Sequence, residues 1–237
     1  MSSDLVVIAE AMSALIAFSV FYSTLIVCRA QRIPYLLGVP AAFGLLTVAF
    51  LANLLAVDFG TRLGSGGLML SVIYLLLETY GVLFLAFTYA RRTRLKLIGE
   101  SFSIELAIPG FVTVVVVIHA ITFENIAFSY TAPPTMEISL RIVMALAAAY
   151  LTYEAARNWN LTRRAGEGAI IFAYAAMFVE QVGFVMSTWF FPDVATFLGY
   201  EGRFVALLLL TGLCWVRVGK GDFTTVIKRL GLAALAH

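Results

Sequence analysis

The stretch GLMLSVIYLLLETYGVLFLAFTYARRTRLK, residues 67–96, decides the fold class. Its first 24 residues carry one charged side chain, Glu78, and the run then ends in a basic segment. About 20 apolar residues cross the hydrocarbon core of a bilayer as one helix, and basic residues beside a span stay in the cytoplasm. The stretch therefore predicts a transmembrane helix over 67–90 whose last residue faces the cytoplasm. The basic residues that follow it are Arg91, Arg92, Arg94 and Lys96.

The same apolar pattern recurs along the chain, which is 62% hydrophobic and 13% charged. A soluble domain carries about 25% charged residues. Backbone groups in lipid must be hydrogen-bonded internally, so only helices and closed barrels span a membrane. Barrel strands alternate apolar and polar residues, whereas these runs are continuously apolar. We predict an all-α membrane protein, a seven-transmembrane-helix bundle. The spans are 5–28, 35–57, 67–90, 103–122, 137–158, 168–191 and 203–218.

The distribution of basic residues predicts the orientation of the bundle. Only Arg62, Arg141 and Arg203 are assigned to one side, and the other 13 of the 16 Lys and Arg lie on the opposite side. Because positive residues stay inside, the N-terminus is predicted outside and the C-terminus in the cytoplasm. We divide the chain into a transmembrane domain, 1–218, and a short amphipathic tail, 219–237, on the cytoplasmic surface. The expected location is the plasma membrane of a prokaryote, as a multi-pass protein.

Carboxylates inside the spans are the first candidates for a functional site. A charge at mid-membrane costs about 2.5–3.5 kcal/mol on insertion scales. Glu78 and Glu180 lie near the middle of spans three and six, at similar depth, where they could share a proton or hold a cation. Gln181 and Tyr174 belong to a polar stripe on span six, and Tyr74 lies one turn from Glu78. These five residues form the predicted ligand or proton site. The alternative is hydrogen bonding between helices without a ligand.

Three further polar residues are secondary candidates. Glu10 and Asn53 lie in the outer halves of spans one and two, where they could line an outward-opening cavity. His119 lies in span four and is predicted to be a hydrogen-bonded or pH-sensitive group. For Arg141, one turn from Glu137, the prediction is pairing with that carboxylate or snorkelling to the membrane surface.

The residues that the spans lack weigh against several functions. The lysines of the chain are Lys96, Lys220 and Lys228, all outside the spans, so a retinal Schiff base is disfavoured despite the rhodopsin-like plan. A single histidine within a span supplies neither paired haem ligands nor a multi-histidine zinc site. We therefore predict no cofactor, no metal and no enzymatic activity. Cys28 and Cys214 are predicted to be free thiols.

One segment resembles a known family. The residues Tyr74–Tyr80, Phe84–Tyr89, the pair Arg91-Arg92 and then Ile108-Pro109 are similar to the seven-helix membrane sensor region that precedes prokaryotic signalling domains, including some histidine kinases. The resemblance covers spans two to four, and we expect no kinase or cyclase domain, which is a departure from that family. It implies a stand-alone sensor module, or a subunit that acts on a partner.

The sequence thus predicts a receptor- or sensor-like module that binds a small ligand or proton in a central cavity. A small proton-coupled or solute transporter and a structural subunit of a larger membrane complex are the alternatives. The expected partners are the lipid bilayer and a cytoplasmic or membrane protein bound through basic inner loops, and no nucleic acid. Those loop residues are Arg91, Arg92, Arg94, Arg163 and Arg164.

Overall fold

The computed structural model describes residues 3–31, 38–63, 65–94, 134–162, 165–188, 190 and 192–220. These residues form six helices. They are α1 (Ser3–Gln31), α2 (Gly38–Leu63), α3 (Ser65–Arg94), α4 (Pro134–Thr162), α5 (Ala165–Ser187) and α6 (Pro192–Lys220). The predicted span 103–122, with His119, lies outside the described residues, as does the tail from residue 221 onward.

Each of the six helices contains a segment long and apolar enough to cross a membrane. The predicted all-α membrane class is therefore confirmed for the described part of the chain, which has the character of a multi-pass membrane protein. Large apolar side chains such as Leu15, Leu146 and Phe172 lie exposed on the outside of the helices. In a bilayer these side chains face lipid, which replaces the polar solvated face of a soluble bundle.

The described helices pack as a closed ring. Helix α1 packs on α2, and each helix then packs on the next as far as α6, which returns to α1. Small side chains fill much of the interior, among them Ala17, Ala49, Ala148 and Ala173, which are fully buried. Small residues at helix contacts let backbones approach closely in a membrane protein. The interior between the six helices is therefore narrow, and a side chain from one helix can reach several others.

Glycines allow a close backbone contact between α5 and α6. A Cβ added to Gly183 would lie 2.7 Å from the Gly199 backbone nitrogen, and one added to Gly202 would lie 2.7 Å from the Glu180 backbone nitrogen. Only a residue without a side chain fits such an approach. The contact at Gly202 brings the adjacent residue, Arg203, beside Glu180.

The turn between α5 and α6 corrects the predicted spans. Helix α5 ends at Ser187 and α6 begins at Pro192, whereas the predicted sixth span ran to residue 191 and the seventh began at residue 203. Proline is favoured at the first position of a helix because its missing N–H is not needed there. Asp193 in the first turn is favourable beside the positive end of the helix dipole. Arg203 is therefore eleven residues inside a helix and not at its outer boundary.

One other local prediction concerns the two cysteines. Within the described residues, Cys28 and Cys214 form no disulfide, as predicted. Arg157 NH1 lies 3.8 Å from Glu154 Oε2, so these two residues form an ion pair one turn apart on α4. The Glu154 side chain is fully buried, while that of Arg157 is half exposed.

Candidate functional site

Nine polar side chains meet in the interior of the ring and are here called the central cluster. Every described helix contributes at least one of them, and direct hydrogen bonds join all nine. The members are Glu10 on α1, Asn53 on α2, Tyr74 and Glu78 on α3, Arg141 on α4, Glu180 and Gln181 on α5, and Tyr200 and Arg203 on α6.

The central cluster lies well inside the membrane-spanning part of the helices. Glu10 is seven residues into α1, Arg141 seven residues into α4 and Arg203 eleven residues into α6. At a rise of 1.5 Å per residue, these positions lie roughly 10–17 Å from the end of the bundle that carries the N-terminus. The cluster is therefore in the half of the bundle nearer that end.

Arg203 is the hub of the central cluster. Its Nε donates to Glu180 Oε1 at 2.6 Å and its NH1 to Glu10 Oε1 at 2.8 Å. Its NH2 donates to Glu78 Oε1 at 3.1 Å and to the Tyr74 hydroxyl at 3.0 Å. A guanidinium group has five N–H donors in a rigid plane, and Arg203 uses four of them. One side chain thus connects three carboxylates from three helices.

Arg141 forms a second, smaller hub. Its NH1 donates to Glu78 Oε2 at 3.0 Å and to Gln181 Oε1 at 3.1 Å, and its NH2 donates to the Tyr74 hydroxyl at 2.8 Å. Its Nε lies 3.6 Å from Glu137 Oε1, close enough for an ion pair but too far for a hydrogen bond. Within the described residues this buried Nε has no hydrogen-bond acceptor.

Glu78 and Tyr74 hold the two arginines together. Each oxygen of Glu78 accepts from a different arginine, and the Tyr74 hydroxyl accepts from both. The Phe184 ring adds a further common contact, with its centroid 4.4 Å from the Arg141 guanidinium carbon and 5.2 Å from that of Arg203. Cations attract the faces of aromatic rings, most strongly where water is absent. These shared partners offset the repulsion between two buried positive charges.

Glu10 is bound asymmetrically. Its Oε1 accepts from Asn53 Nδ2 at 2.8 Å, from the Tyr200 hydroxyl at 3.1 Å and from Arg203. Its Oε2 is buried and finds no hydrogen-bond partner in the described part of the chain, and the same holds for the Ser13 hydroxyl one turn away. Buried polar atoms are usually satisfied by protein or by ordered water.

A small cavity adjoins the central cluster. Glu78, Glu180, Gln181 and Arg203 form its polar wall. About 10 Å³ is open to the centre of a water molecule, which is space for about one water. The rest of the wall is apolar and includes Val82, Met177, Ala206, Leu207 and Leu210. These apolar residues lie closer than the polar wall does to the end of the bundle opposite the N-terminus. The cavity therefore extends from the two glutamates toward that opposite end.

The structure brings together most of the predicted site residues. Tyr74, Glu78, Glu180 and Gln181 are all in the central cluster. The secondary candidates Glu10 and Asn53 belong to it as well, and the Glu10 side chain is fully buried.

Tyr174, the fifth residue of the predicted site, belongs to the apolar core of the bundle. It precedes Gln181 by seven residues, about 10 Å along α5, and is buried in the apolar core at a different depth. The secondary candidate His119 lies outside the described residues.

The two arginines were not predicted to be site residues. Arg203 was assigned to the outer boundary, and Arg141 was expected to pair with Glu137 or snorkel. The ion pair with Glu137 exists, but the Arg141 guanidinium points inward to Glu78 and is buried. The pairing of Arg141 with Glu137 is therefore confirmed, but its burial against Glu78 was not foreseen. Arg203 was missed because an arginine beside an apolar run also marks the boundary of a span. Pro134 and Pro192, which open α4 and α6, were the signals that these helices begin earlier.

Comparisons of this chain with protein-family models, with curated proteins and with solved structures find no match. The function is therefore argued from the central cluster itself.

Proposed function

We propose that this chain is a non-enzymatic, seven-helix receptor- or sensor-like membrane protein that binds a small ligand or a proton at the central cluster. The observation that supports the proposal is the convergence of side chains from all six described helices on two buried arginines. A change of charge or contact at Glu78, Arg141 or Arg203 alters hydrogen bonds to several helices at once. A ligand that favours one arrangement of these bonds would shift the helices toward it.

The cost of the central cluster supports a functional role. Ionisable residues inside a membrane are expensive and mark functional sites by default. Well-packed apolar side chains of similar volume are often as stabilising as a buried ion pair, or more so. Stability alone therefore gives little reason to place three glutamates and two arginines between the helices. A role that depends on their charge gives such a reason.

A thermal stability screen tests the proposal. We expect at least one condition, among a pH series and added chloride, acetate, sodium or ammonium, to raise the melting temperature of the purified protein. Binding to the folded state alone stabilises it by mass action. The gain should disappear in Glu180→Gln and persist in Glu154→Gln, which alters a buried carboxylate on α4 that lies outside the central cluster. Equal changes in melting temperature for wild type and both variants would indicate that the cluster only holds the helices together, which would favour the structural subunit.

A transporter with the same carboxylates is the competing function. The cavity that extends inward from Glu78 and Glu180 is the observation that favours it. Proteoliposomes that contain a pH-sensitive dye separate the two. A receptor should give no proton flux above that of empty liposomes, whereas a proton-coupled carrier should give flux that Glu180→Gln abolishes.

The proposed topology has seven crossings with the N-terminus outside, which makes 103–122 the remaining span. The central cluster then lies in the outer half of the membrane, and the basic loops lie in the cytoplasm. A signal from the cluster would reach a partner protein through those loops, as the resemblance to sensor regions implies. The partner would meet Arg91, Arg92 and Arg94 after the third span, and Arg163 and Arg164 after the fifth.

Accessibility labelling tests this topology. In a background with Cys28 and Cys214 replaced by alanine, a cysteine at Asp58 should react with an impermeant maleimide in intact cells. Cysteines at Arg91 and Arg163 should react only after the membrane is opened. Labelling of position 91 or 163 in intact cells together with position 58 would overturn the orientation.

A further inference from the structure

Two carboxyl groups of the central cluster meet across the interior of the ring. Glu180 Oε1 lies 2.6 Å from Arg203 Nε, and Glu78 Oε1 lies 3.1 Å from Arg203 NH2. Because both nitrogens belong to one guanidinium group, the oxygens bound to them are close, and the two carboxyl groups are within hydrogen-bonding reach of each other. Ionised carboxylates only accept hydrogen bonds. A hydrogen bond between the two therefore requires that one of them carry a proton.

The balance of charges around this pair also indicates one bound proton. Helix α1 contributes Glu10, α4 contributes Arg141 and α6 contributes Arg203, while Asn53 on α2 is neutral. The tyrosines on α3 and α6 are neutral near pH 7 in their ordinary range. Among the described residues of the cluster, three carboxylates thus face two guanidinium groups, which leaves one excess negative charge. One bound proton makes the cluster neutral.

A fourth carboxylate lies at the edge of the central cluster. The Glu137 side chain is one-third exposed, and Arg141 Nε is 3.6 Å away. Glu137 is the second residue of the membrane segment Met136–Leu161, at its boundary, where water screens a charge and no buried counter-charge is needed. Glu137 is therefore left out of the balance.

We infer that the ligand of the central cluster is a proton, shared between Glu78 and Glu180. The inference rests on the proposed function, since it takes the cluster as the binding site and names what binds there. Release breaks the carboxyl O–H bond and forms an O–H bond on water, giving a carboxylate and a hydronium ion. The cavity on the inner side of the pair has space for about one such water.

Loss of the proton would act on two helices that are not neighbours in the described ring. Glu78 is on α3 and Glu180 on α5, and α4 packs between these helices. Two adjacent carboxylates in an interior of low dielectric repel each other strongly. Deprotonation should therefore separate α3 from α5, whereas the shared proton holds them together.

Infrared difference spectroscopy on the full chain in lipid nanodiscs tests the inference. As the pH falls from about 9 to about 4, across the ordinary carboxyl range, wild type should show the carbonyl band of a buried protonated carboxyl group. The band should be absent from Glu78→Gln and Glu180→Gln, because the amide replaces the protonated acid and leaves the cluster neutral without a proton. It should persist in Glu154→Gln, the matched control.

Isotope labelling keeps the test decisive if a glutamine variant does not fold. In wild type grown with ¹³C-glutamate, the band should shift to lower frequency. A band that does not shift, a band that survives in both glutamine variants, or no band at any pH would each overturn the inference.

A distance measurement separates failure of the inference from failure of the proposed function. Spin labels at Phe84 on α3 and Phe172 on α5, both exposed apolar positions, should move apart as the pH rises in wild type but not in Glu180→Gln. A titrating band with a constant distance would confirm the proton and overturn the sensor role. A missing band with melting-temperature gains from acetate or chloride that depend on Glu180 would overturn the proton and leave the receptor role standing.

Discussion

Replacement of Arg203 by glutamine should lower the free energy of unfolding by about 3–5 kcal/mol, the usual cost of removing one partner from a buried ion pair. Arg203 donates to Glu10, Glu78 and Glu180, and its side chain is 1% exposed. Glutamine has two donors where the arginine uses four, so at least two acceptors lose their bond. The measurement is thermal or denaturant unfolding in detergent micelles, followed by circular dichroism.

The matched control is Arg29→Gln, since Arg29 is an exposed arginine in the last turn of α1. Surface substitutions of this kind change stability by about 0.5 kcal/mol or less. The double variant Arg203→Gln/Glu180→Gln should recover part of the loss, because it removes a carboxylate together with its missing cation. If Arg203→Gln costs no more than Arg29→Gln, the arginine is not the hub that its contacts indicate.

Alanine at Gly202 should destabilise the bundle, and alanine at Gly212 on the same helix should not. A Cβ at Gly202 would lie 2.7 Å from both the Ala176 carbonyl oxygen and the Glu180 backbone nitrogen. Backbone atoms of α5 cannot rotate away as a flexible side chain can, so the two helices must separate. Overpacking of this kind costs about 1–3 kcal/mol. Arg203 and Glu180 would then lose their close contact, which couples this substitution to the central cluster.

The control substitution, Gly212→Ala, should change the stability in the opposite direction. A Cβ at Gly212 meets no described atom within 4 Å, and alanine is favoured over glycine inside a helix by up to about 1 kcal/mol. Both variants make the same chemical change on the same helix, so their difference measures the α5–α6 contact alone. Melting temperatures in one detergent are sufficient. Equal shifts in the same direction would show that α5 and α6 are not in backbone contact.

The sequence predicted the class of fold and six of the nine members of the central cluster. Continuous apolar runs predict membrane helices. A glutamate within such a run is easily recognised as a candidate site residue, because a charged side chain is rare there. Arginine is harder to place, because a basic residue also marks the end of a span. Glu10 and Arg203 are 193 residues apart in the chain, and no local pattern records that α6 closes the ring against α1. The hydrogen-bond partners of these side chains therefore became known only from the packing of the helices.

The orientation and the seventh span are still predictions, since they depend on loops and on a segment outside the described residues. The charge bias that supports them survives the correction of Arg141 and Arg203. Both arginines were counted on the outer side but are buried between the helices. Without them, the remaining basic residues are more strongly biased to one side than the sequence alone indicated.

Closure of the ring by α6 has a consequence for biogenesis. Glu10 and Glu78 enter the membrane early in synthesis, but Arg203 emerges from the ribosome only after α5 has been made. Glu78 can pair with Arg141 once α4 has been made. Until Arg203 enters, Glu10 must remain protonated or stay near the lipid headgroups, because the arginine that binds it does not yet exist. Maturation is therefore a late event, in which α5 and α6 dock and all three glutamates bind Arg203 together.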